Sequence, residues 1–292
     1  MPLRVKNWDM YLMLLPAALL IAVFHLFPFV NGMRISLTNW DGFSPDFDFV
    51  GFANFREIGA DPIFLIALKN MLIYGVACSL IQNVLGLAYA LFVNQSFRLN
   101  HAVRLFVYLP SIIAGIIMGY MMYGMFQYND GAINELLGLF GLERTDWLGS
   151  GNRAVFIIAG SFALQNIGVT LLIYLAGLQG IPHSLREAAL MEGAGRWQMF
   201  RRITLPLLVP AMTTTFIIDT IGGLKMFDMI VTLTNGGPGN ATYSLGFLVN
   251  HLYFWNQNAG QASAVGFVLV LIIFAVAYLL RAYFRSKEVE YL

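Results

Sequence analysis

Asp219, Lys225 and Asp228 stand inside a stretch that is otherwise apolar, and Gln165 and Asn166 interrupt a second one. Ionisable side chains in segments bound for hydrocarbon are costly, so each must pair, face a water-filled space or bind something. Counted at 1.5 Å per residue from Pro206, Asp219 lies about 20 Å along its segment, and Lys225 and Asp228 about 29 and 33 Å along, near its far end. Gln165 and Asn166 lie about 17 Å from Ala154, at a depth similar to that of Asp219. Amides and a carboxylate at one depth suit the hydroxyls of a polar solute, and Tyr or Phe rings could stack on its face. Plainer uses stay open. Asp219 and the amides can knit helices together or touch a second chain. Lys225 and Asp228 can snorkel or pair with each other at i, i+3. Asp219 and Lys225 could also handle ions or protons.

Other chemistries are absent from the pattern. No G-x-x-x-x-G-K-[ST] occurs, so the chain has no P-loop to cradle a nucleotide, and the turn Asn235–Gly239 has no lysine. His25, His101, His183 and His251 are dispersed without metal-ligand spacing, so no metal site is expected. Neither G-x-S-x-G nor paired carboxylates suggest hydrolysis, and no catalytic residue is expected. Cys78 is the single cysteine, lies in an apolar run and reads as packing. A net charge of +1 with no basic block argues against a nucleic-acid partner. Asn240-Ala241-Thr242 matches a glycosylation sequon, a weak three-letter signal.

The elements that must hold these residues are six apolar segments, roughly 10–30, 66–93, 104–126, 154–177, 206–231 and 261–283. Each meets the 20 residues or so that a bilayer core of about 30 Å requires. Only 11% of the chain is charged and 58% is hydrophobic, a balance that belongs to membrane proteins. The fold class expected is therefore all-α and polytopic, in a single transmembrane domain over 1–292. The first segment follows Arg4 and Lys6 but is too long for a signal-peptide core, so it reads as a retained span whose helix could continue past Pro28. Gly115 and Gly119 form a small-xxx-small pair suited to close packing.

Basic residues fall on one side. Arg4, Lys6, Arg98, Arg104, Arg186, Arg196, Arg201, Arg202, Arg281, Arg285 and Lys287 would face the cytoplasm, against Arg34, Arg56, Arg144 and Arg153 outside. By the positive-inside rule both termini are cytoplasmic, as an even number of spans requires. The outer stretch 31–62 mixes acids with aromatics, whereas 232–259 holds no Asp, Glu, Lys or Arg. The latter suggests a short surface helix within Tyr243–Trp255, with Tyr243, Tyr253 and Trp255 at headgroup level.

The cytoplasmic loop 181–205 is richer than a connection needs. Ser184 and Glu187 have the spacing of a capping box, Ala188 and Ala189 follow, and Gly193 and Gly195 supply a break. A basic amphipathic piece, Arg196–Thr204, then leads to Leu205-Pro206. Two short helices joined by a glycine hinge would offer Leu185, Ala188 and Ala189 to a partner's groove.

Glu187-Ala188-Ala189, Gly193 and Ile203-x-Leu205-Pro206 resemble the EAA loop of ABC importer permeases at every anchor, with Glu192 where many relatives have aspartate. Phe49–Phe55, Leu233–Pro238 and Gly260–Ala264 resemble the carbohydrate-uptake branch, the maltose and glycerol-phosphate importers, and within it the first permease of the heterodimer. The chain is similar to the shorter six-span members, without extra N-terminal spans or a large outer domain. The resemblance implies a type I importer permease in a bacterial inner membrane. It implies a second homologous permease and two ATPase subunits that carry ATP and Mg, so this chain binds no cofactor itself. It further implies an extracytoplasmic binding protein, a sugar or similar polyol as cargo, and Ser184, Glu187, Ala188, Ala189, Gly193, Leu205 and Pro206 as the coupling element. The solute pocket would lie midway across the membrane on the fourth and fifth spans, drawing on Gln165, Asn166, Asp219 and Lys225. On that basis Asp219→Ala is expected to abolish uptake and leave the complex assembled. The rival class is an ion-coupled secondary transporter or channel using Asp219 and Lys225.

Overall fold

The computed structural model describes residues 7–95 and 100–287, and for 7–13 the backbone alone, so Arg4, Lys6 and Arg98 lie outside the described residues. The order is α1 Asn7–Ile21, a π-helical turn Ala22–Leu26, α2 Phe27–Ile35, α3 Ala53–Ala60 and α4 Pro62–Val93. Next come α5 Asn100–Ile112, α6 Gly115–Phe126, α7 Ala132–Leu139, α8 Gly151–Gln179 and α9 His183–Met191. Then follow α10 Arg196–Met199, a π turn Phe200–Thr204, α11 Leu205–Leu207, α12 Val209–Leu224 and α13 Asp228–Leu233. The last are α14 Leu245–Asn250, a π turn His251–Trp255 and α15 Ala259–Arg285. The fold is all-α: among the described residues the extended pairing is one isolated bridge, Thr38 to Phe49.

Among the described residues, four helical stretches are long and apolar enough to cross a membrane: Leu14–Ile35, Pro62–Val93, Gly151–Gln179 and Ala259–Arg285. The first runs through Pro28 to Ile35. The segments expected at 104–126 and 206–231 are not straight. Asn100–Ile112 and Gly115–Phe126 meet at 103°, and Arg196–Leu207 and Val209–Leu224 at 65°. The first break falls three residues after Pro110, where Ala114 turns extended at ψ 140°. At the second, Pro210 has no N–H to offer the carbonyl of Pro206, so the helical ladder loses a rung beside Leu208. A third break, at Lys225–Phe227, separates α12 from α13.

The chain divides into two compact units. One comprises the residues up to Asp61 with Leu248–Val270. Here the Asn54 amide donates to the carbonyls of Ser36 and Thr38 at 2.8 Å each and fixes the start of α3 to the end of α2. Gly260 packs so tightly on the Thr38 carbonyl that a Cβ would collide with it, and its N–H donates to the Trp40 carbonyl at 2.9 Å. Gln261 donates to Glu57 at 2.7 Å. These bonds give a role to Asn54 in the Phe49–Phe55 stretch and to Gly260 and Gln261 in the Gly260–Ala264 stretch.

The other unit comprises Pro62–Phe247 and the chain from Leu271 onward. Its core is α4 packed on α8 and α12. Gly75 and Gly223 let α4 and α12 touch backbone to backbone: a Cβ on Gly223 would lie 2.5 Å from the Tyr74 carbonyl oxygen. Ala90, Leu171, Tyr174, Leu178 and Leu208 fill the far end. Gly119 faces Thr232 with no room for a side chain, so the small-xxx-small face of α6 lies against α13. The turn after α13 is bound to α4: the Asn70 amide donates to the carbonyls of Ala241 and Tyr243 at 2.7 and 3.0 Å, and the Tyr74 hydroxyl to that of Thr242 at 2.9 Å.

Helix does form within Tyr243–Trp255, from Leu245 onward, but not with all three aromatics outward. Trp255 is exposed, while Tyr243 is buried edge-on against Phe247, ring centroids 4.7 Å apart. Tyr243 sits at the base of the latched turn, where Gly236 lies against its ring.

Candidate solute cavity and coupling loop

Asp219 does not stand alone. Thr170 of α8 donates to both its carboxylate oxygens at 3.1 Å, and Asn83 of α4 to Oδ2 at 2.9 Å. The Asn83 amide oxygen in turn accepts from the Tyr174 hydroxyl at 2.6 Å and from Thr215 at 2.7 Å. Asn83, Thr170, Thr215 and Asp219 are all buried, so the bonds form without competing water and tie α4, α8 and α12 into one knot. Buried polar groups are affordable when they satisfy one another. Gln82 Nε2 and Ser79 Oγ, beside the knot on α4, are buried without a hydrogen-bond partner.

Further along the same helices, two of the breaks meet around a cavity of about 180 Å³. Gly115 opens it from the start of α6, Phe162 and Gln165 from α8, and Gly222, Lys225, Asp228 and Met229 from either side of the third break. Each break frees backbone groups, which at membrane depth are tolerated only inside protein or lining a cavity. Gln165 Nε2 donates to the freed Ile113 carbonyl at 2.9 Å, and the Ser244 hydroxyl donates to that of Met226 at 2.7 Å. Gly115 has no side chain where the Asp228 carboxylate approaches the first turn of α6: a Cβ would lie 2.6 Å from Oδ2. Lys225 and Asp228 are exposed, and the single ion pair among the described residues, Arg144–Glu135, involves neither. The cavity thus presents a carboxamide, an ammonium and a carboxylate beside the Phe162 ring.

The loop after α8 ends α9 by a Schellman motif. The Gly193 N–H donates to the Leu190 carbonyl at 3.0 Å, and that of Ala194 to Ala189 at 2.9 Å. Gly193 takes φ +78°, a conformation that costs any Cβ-bearing residue. Helix α9 starts at His183 with Pro182 as N-cap, so Ser184 lies inside the first turn and makes no capping bond. The reason is chemical: proline at the cap fixes the entry angle and the carbonyl of Pro182 already accepts from Leu185. The loop leaves Leu185, Ala188, Leu190, Met191 and Trp197 exposed, with Met191 at 89%, while Ala189 is buried on its own chain. Leu205 and Pro206 are half-buried just before the 65° bend.

The profile of the family described as "binding-protein-dependent transport system inner membrane component" matches residues 82–288. The chain belongs to that family. Among its relatives, the multiple sugar-binding transport system permease protein MsmF of Streptococcus mutans is 35% identical, with 94% of each chain covered. The trehalose/maltose transport system permease protein MalF of Thermococcus litoralis is 36% identical over 94% of each. A solved bacterial ABC transporter involved in import of the acidic polysaccharide alginate contains a chain that superposes with a TM-score of 0.83, at 25% identity and 96% coverage of both. As a binding-protein-dependent permease the chain is an ABC transporter subunit of the membrane, and it is not itself an enzyme.

Of the residues expected to touch solute, the permease brings Gln165 and Lys225 together in the cavity and places the others elsewhere. Asp219 is held in the knot. Asn166 donates back to the Phe162 carbonyl on its own helix at 2.9 Å and does not line the cavity. The shared depth of Gln165 and Asp219 does not hold either: Asp219 meets Thr170, five residues or about 7.5 Å further along α8. Only a straight helix from Pro206 would bring the two to one depth, and the 65° bend intervenes. An i, i+3 pair of Lys225 and Asp228 is likewise precluded, because the helix ends between them. Asp228, for which snorkelling or pairing with Lys225 was the plainer use, joins the cavity. Sequence reasoning missed Gly115 as a cavity wall and Asn83 as the hub of the knot. Asn83 did leave a signal, since Gln82-Asn83 interrupts the apolar second segment as plainly as Gln165-Asn166 does the fourth.

Proposed function

We propose that this chain is one permease subunit of an ATP-driven, binding-protein-dependent importer of sugars or oligosaccharides. The observation that carries the reading is the cavity between two broken helices, with Gln165, Lys225 and Asp228 set beside Phe162. Donors, an acceptor and an aromatic face are what a hydroxylated ring needs, and the named relatives transport sugars. An extracytoplasmic binding protein delivers the solute. A second homologous permease completes the path, and two ATPase subunits supply ATP hydrolysis and its Mg. Both termini face the cytoplasm, the side on which Arg186, Arg196, Arg201, Arg202, Arg281 and Arg285 then lie.

In this reading α9 seats Leu185, Ala188 and Leu190 in a cleft of the ATPase. Glu187 and the Gly193 turn hold its angle, and closure passes through Leu205-Pro206 and the bend at Leu208 to α12 and the cavity. An ion-coupled carrier fits less well, because the oxygens of Asp219 are already engaged by Thr170 and Asn83.

The test is a mild-detergent pull-down from native membranes, followed by reconstitution with sugar and binding protein. Recovery of a P-loop ATPase and a second six-span permease, with sugar uptake driven by ATP, is the expected result. In the same assay Lys225→Ala should weaken uptake. Glu187→Ala or Gly193→Val should leave ATP hydrolysis running without transport. A chain that purifies alone and transports without ATP overturns the proposal, and normal uptake in both loop variants removes the coupling role.

A further inference from the structure

The end of α15 and the stretch around the Leu208 bend enclose a second space, unrelated to the cavity above. It measures about 600 Å³ and is walled by Leu205, Pro206, Val209, Met212 and Phe216 on one side and by Leu280, Tyr283, Phe284 and Lys287 on the other. Leu280, Tyr283 and Phe284 share one face of α15, with Lys287 just past its end, and Val209, Met212 and Phe216 share one face of α12, with Leu205 and Pro206 across the bend, so both walls are mainly apolar. Phe216 against Phe284, ring centroids 5.1 Å apart, closes the inner end. The other end carries the one charge of the lining, Lys287. Along α15 the groove extends about 10 Å from Leu280 to Lys287.

Lys287 is posed rather than loose. Its Nζ donates to the Tyr283 hydroxyl at 2.6 Å and sits 4.2 Å from the centre of that ring. No acidic side chain among the described residues lies within ion-pair distance of it. Arg281 and Arg285 precede it on the last turns of α15 and are exposed. An apolar slot with a cation at its mouth, in a chain whose surroundings are hydrocarbon, has the polarity of an anionic phospholipid: acyl chain inward, phosphate at the basic rim. A neutral ligand would make no use of Lys287, and a soluble anion would make none of the apolar walls.

We infer that this groove is a binding site for one anionic phospholipid, its acyl chain between α12 and α15 and its headgroup on Lys287. The site abuts the bend beside Leu208, so its occupant packs against the joint through which α11 and α12 meet.

The test uses the full assembled transporter in nanodiscs of phosphatidylcholine mixed with phosphatidylglycerol, with retained lipid counted by native mass spectrometry after detergent release. The wild type should keep phosphatidylglycerol in preference to phosphatidylcholine. Lys287→Gln should lower that preference about fivefold, the attraction expected of one lysine to an anionic lipid. Met212→Trp, which fills the slot, should displace both lipids, and the intact mass of the complex confirms that the variants assemble. Equal retention of the two lipids by the wild type, or unchanged retention in both variants, overturns the inference. A photo-crosslinker at Leu280 should give a lipid adduct; a cross-link to the second permease instead would show the groove to be a protein interface and overturn it equally.

Discussion

Two polar regions lie within the same helices, and they are built on opposite terms. In the knot, the carboxylate of Asp219 and the amide of Asn83 spend their hydrogen bonds on Thr170, Thr215 and Tyr174, and nothing of the group faces open space. In the cavity, Lys225 and Asp228 are exposed and unpaired with each other, and the helices around them are broken. The knot spans three continuous stretches of helix; the cavity exists because two helices stop. A polar side chain in a membrane helix is therefore ambiguous until its partners are known. Satisfied by neighbours it holds the bundle together, and unsatisfied at a break it is free to take a ligand.

The comparison is most exposed to the loss of Asn83. Asn83→Leu leaves a buried carboxylate short of a donor and the Tyr174 hydroxyl without its acceptor. One hydrogen bond to the buried carboxyl and the two that Asn83 accepts are lost together, each group left unsatisfied costing about 1–3 kcal/mol. Asp219→Leu should cost less, since removing the charge itself leaves only neutral groups to satisfy, at about 1–3 kcal/mol. Thermal unfolding of the purified complex should rank the two in that order. If both variants melt like the wild type and lose only transport, the knot is a ligand site and the distinction fails.

The cavity should behave in the opposite sense. Lys225→Ala removes an exposed side chain, so the melting temperature should hold while the solute concentration for half-maximal uptake rises roughly tenfold, the value of one charge-assisted hydrogen bond. A fall in stability without a change in uptake would place Lys225 with the structural group. Gly115→Ala sharpens the same point geometrically. Its methyl group meets the exposed Asp228 carboxylate, which must swing aside, so solute affinity should shift while the melting temperature holds, whereas Gly160→Ala on α8 meets open space and should change neither.

Much of this was legible in the sequence. Hydropathy located the four described helices that are long and apolar enough to cross a membrane, because the cost of unsatisfied backbone in hydrocarbon imposes long apolar helices, and it marked the two bent pairs without showing that they bend. The Gly193 turn was legible for a similar reason, since a Schellman end leaves a glycine in the chain at a fixed offset. Depth was not. It accumulates along an axis only while the helix is straight, and the bends at Ala114 and Leu208 depend on local bonds that Pro110, Pro206 and Pro210 hint at without setting an angle. Nor could composition divide Asp219 from Asp228. The two differ in what other helices bring to them, Thr170 and Asn83 to the one and the side-chain-free face of Gly115 to the other.

Asp41 offers the smallest effect and a control in water for the same principle. Like Asp219 it is satisfied by neighbours, here within one turn: the Ser44 hydroxyl and the N–H groups of Phe43 and Ser44 all donate to it. The Ser44 hydroxyl first, and then these amides, favour the charged form and hold the carboxyl at about 2, below its ordinary 3.8. A depressed value means that the turn is stabilised fully above the ordinary carboxylate range and loosens only as pH falls through about 2. The Trp40 indole N–H donates to the Ser44 carbonyl at 2.8 Å, so a fluorotryptophan at position 40 reports on the turn. Its resonance should stay fixed through pH 3.8 and move only near 2, whereas in Asp41→Ala it should already sit at the loosened position at neutral pH. A midpoint at the ordinary carboxylate value would mean that the turn does not hold its acid, and that self-satisfaction by neighbours counts only where water is excluded.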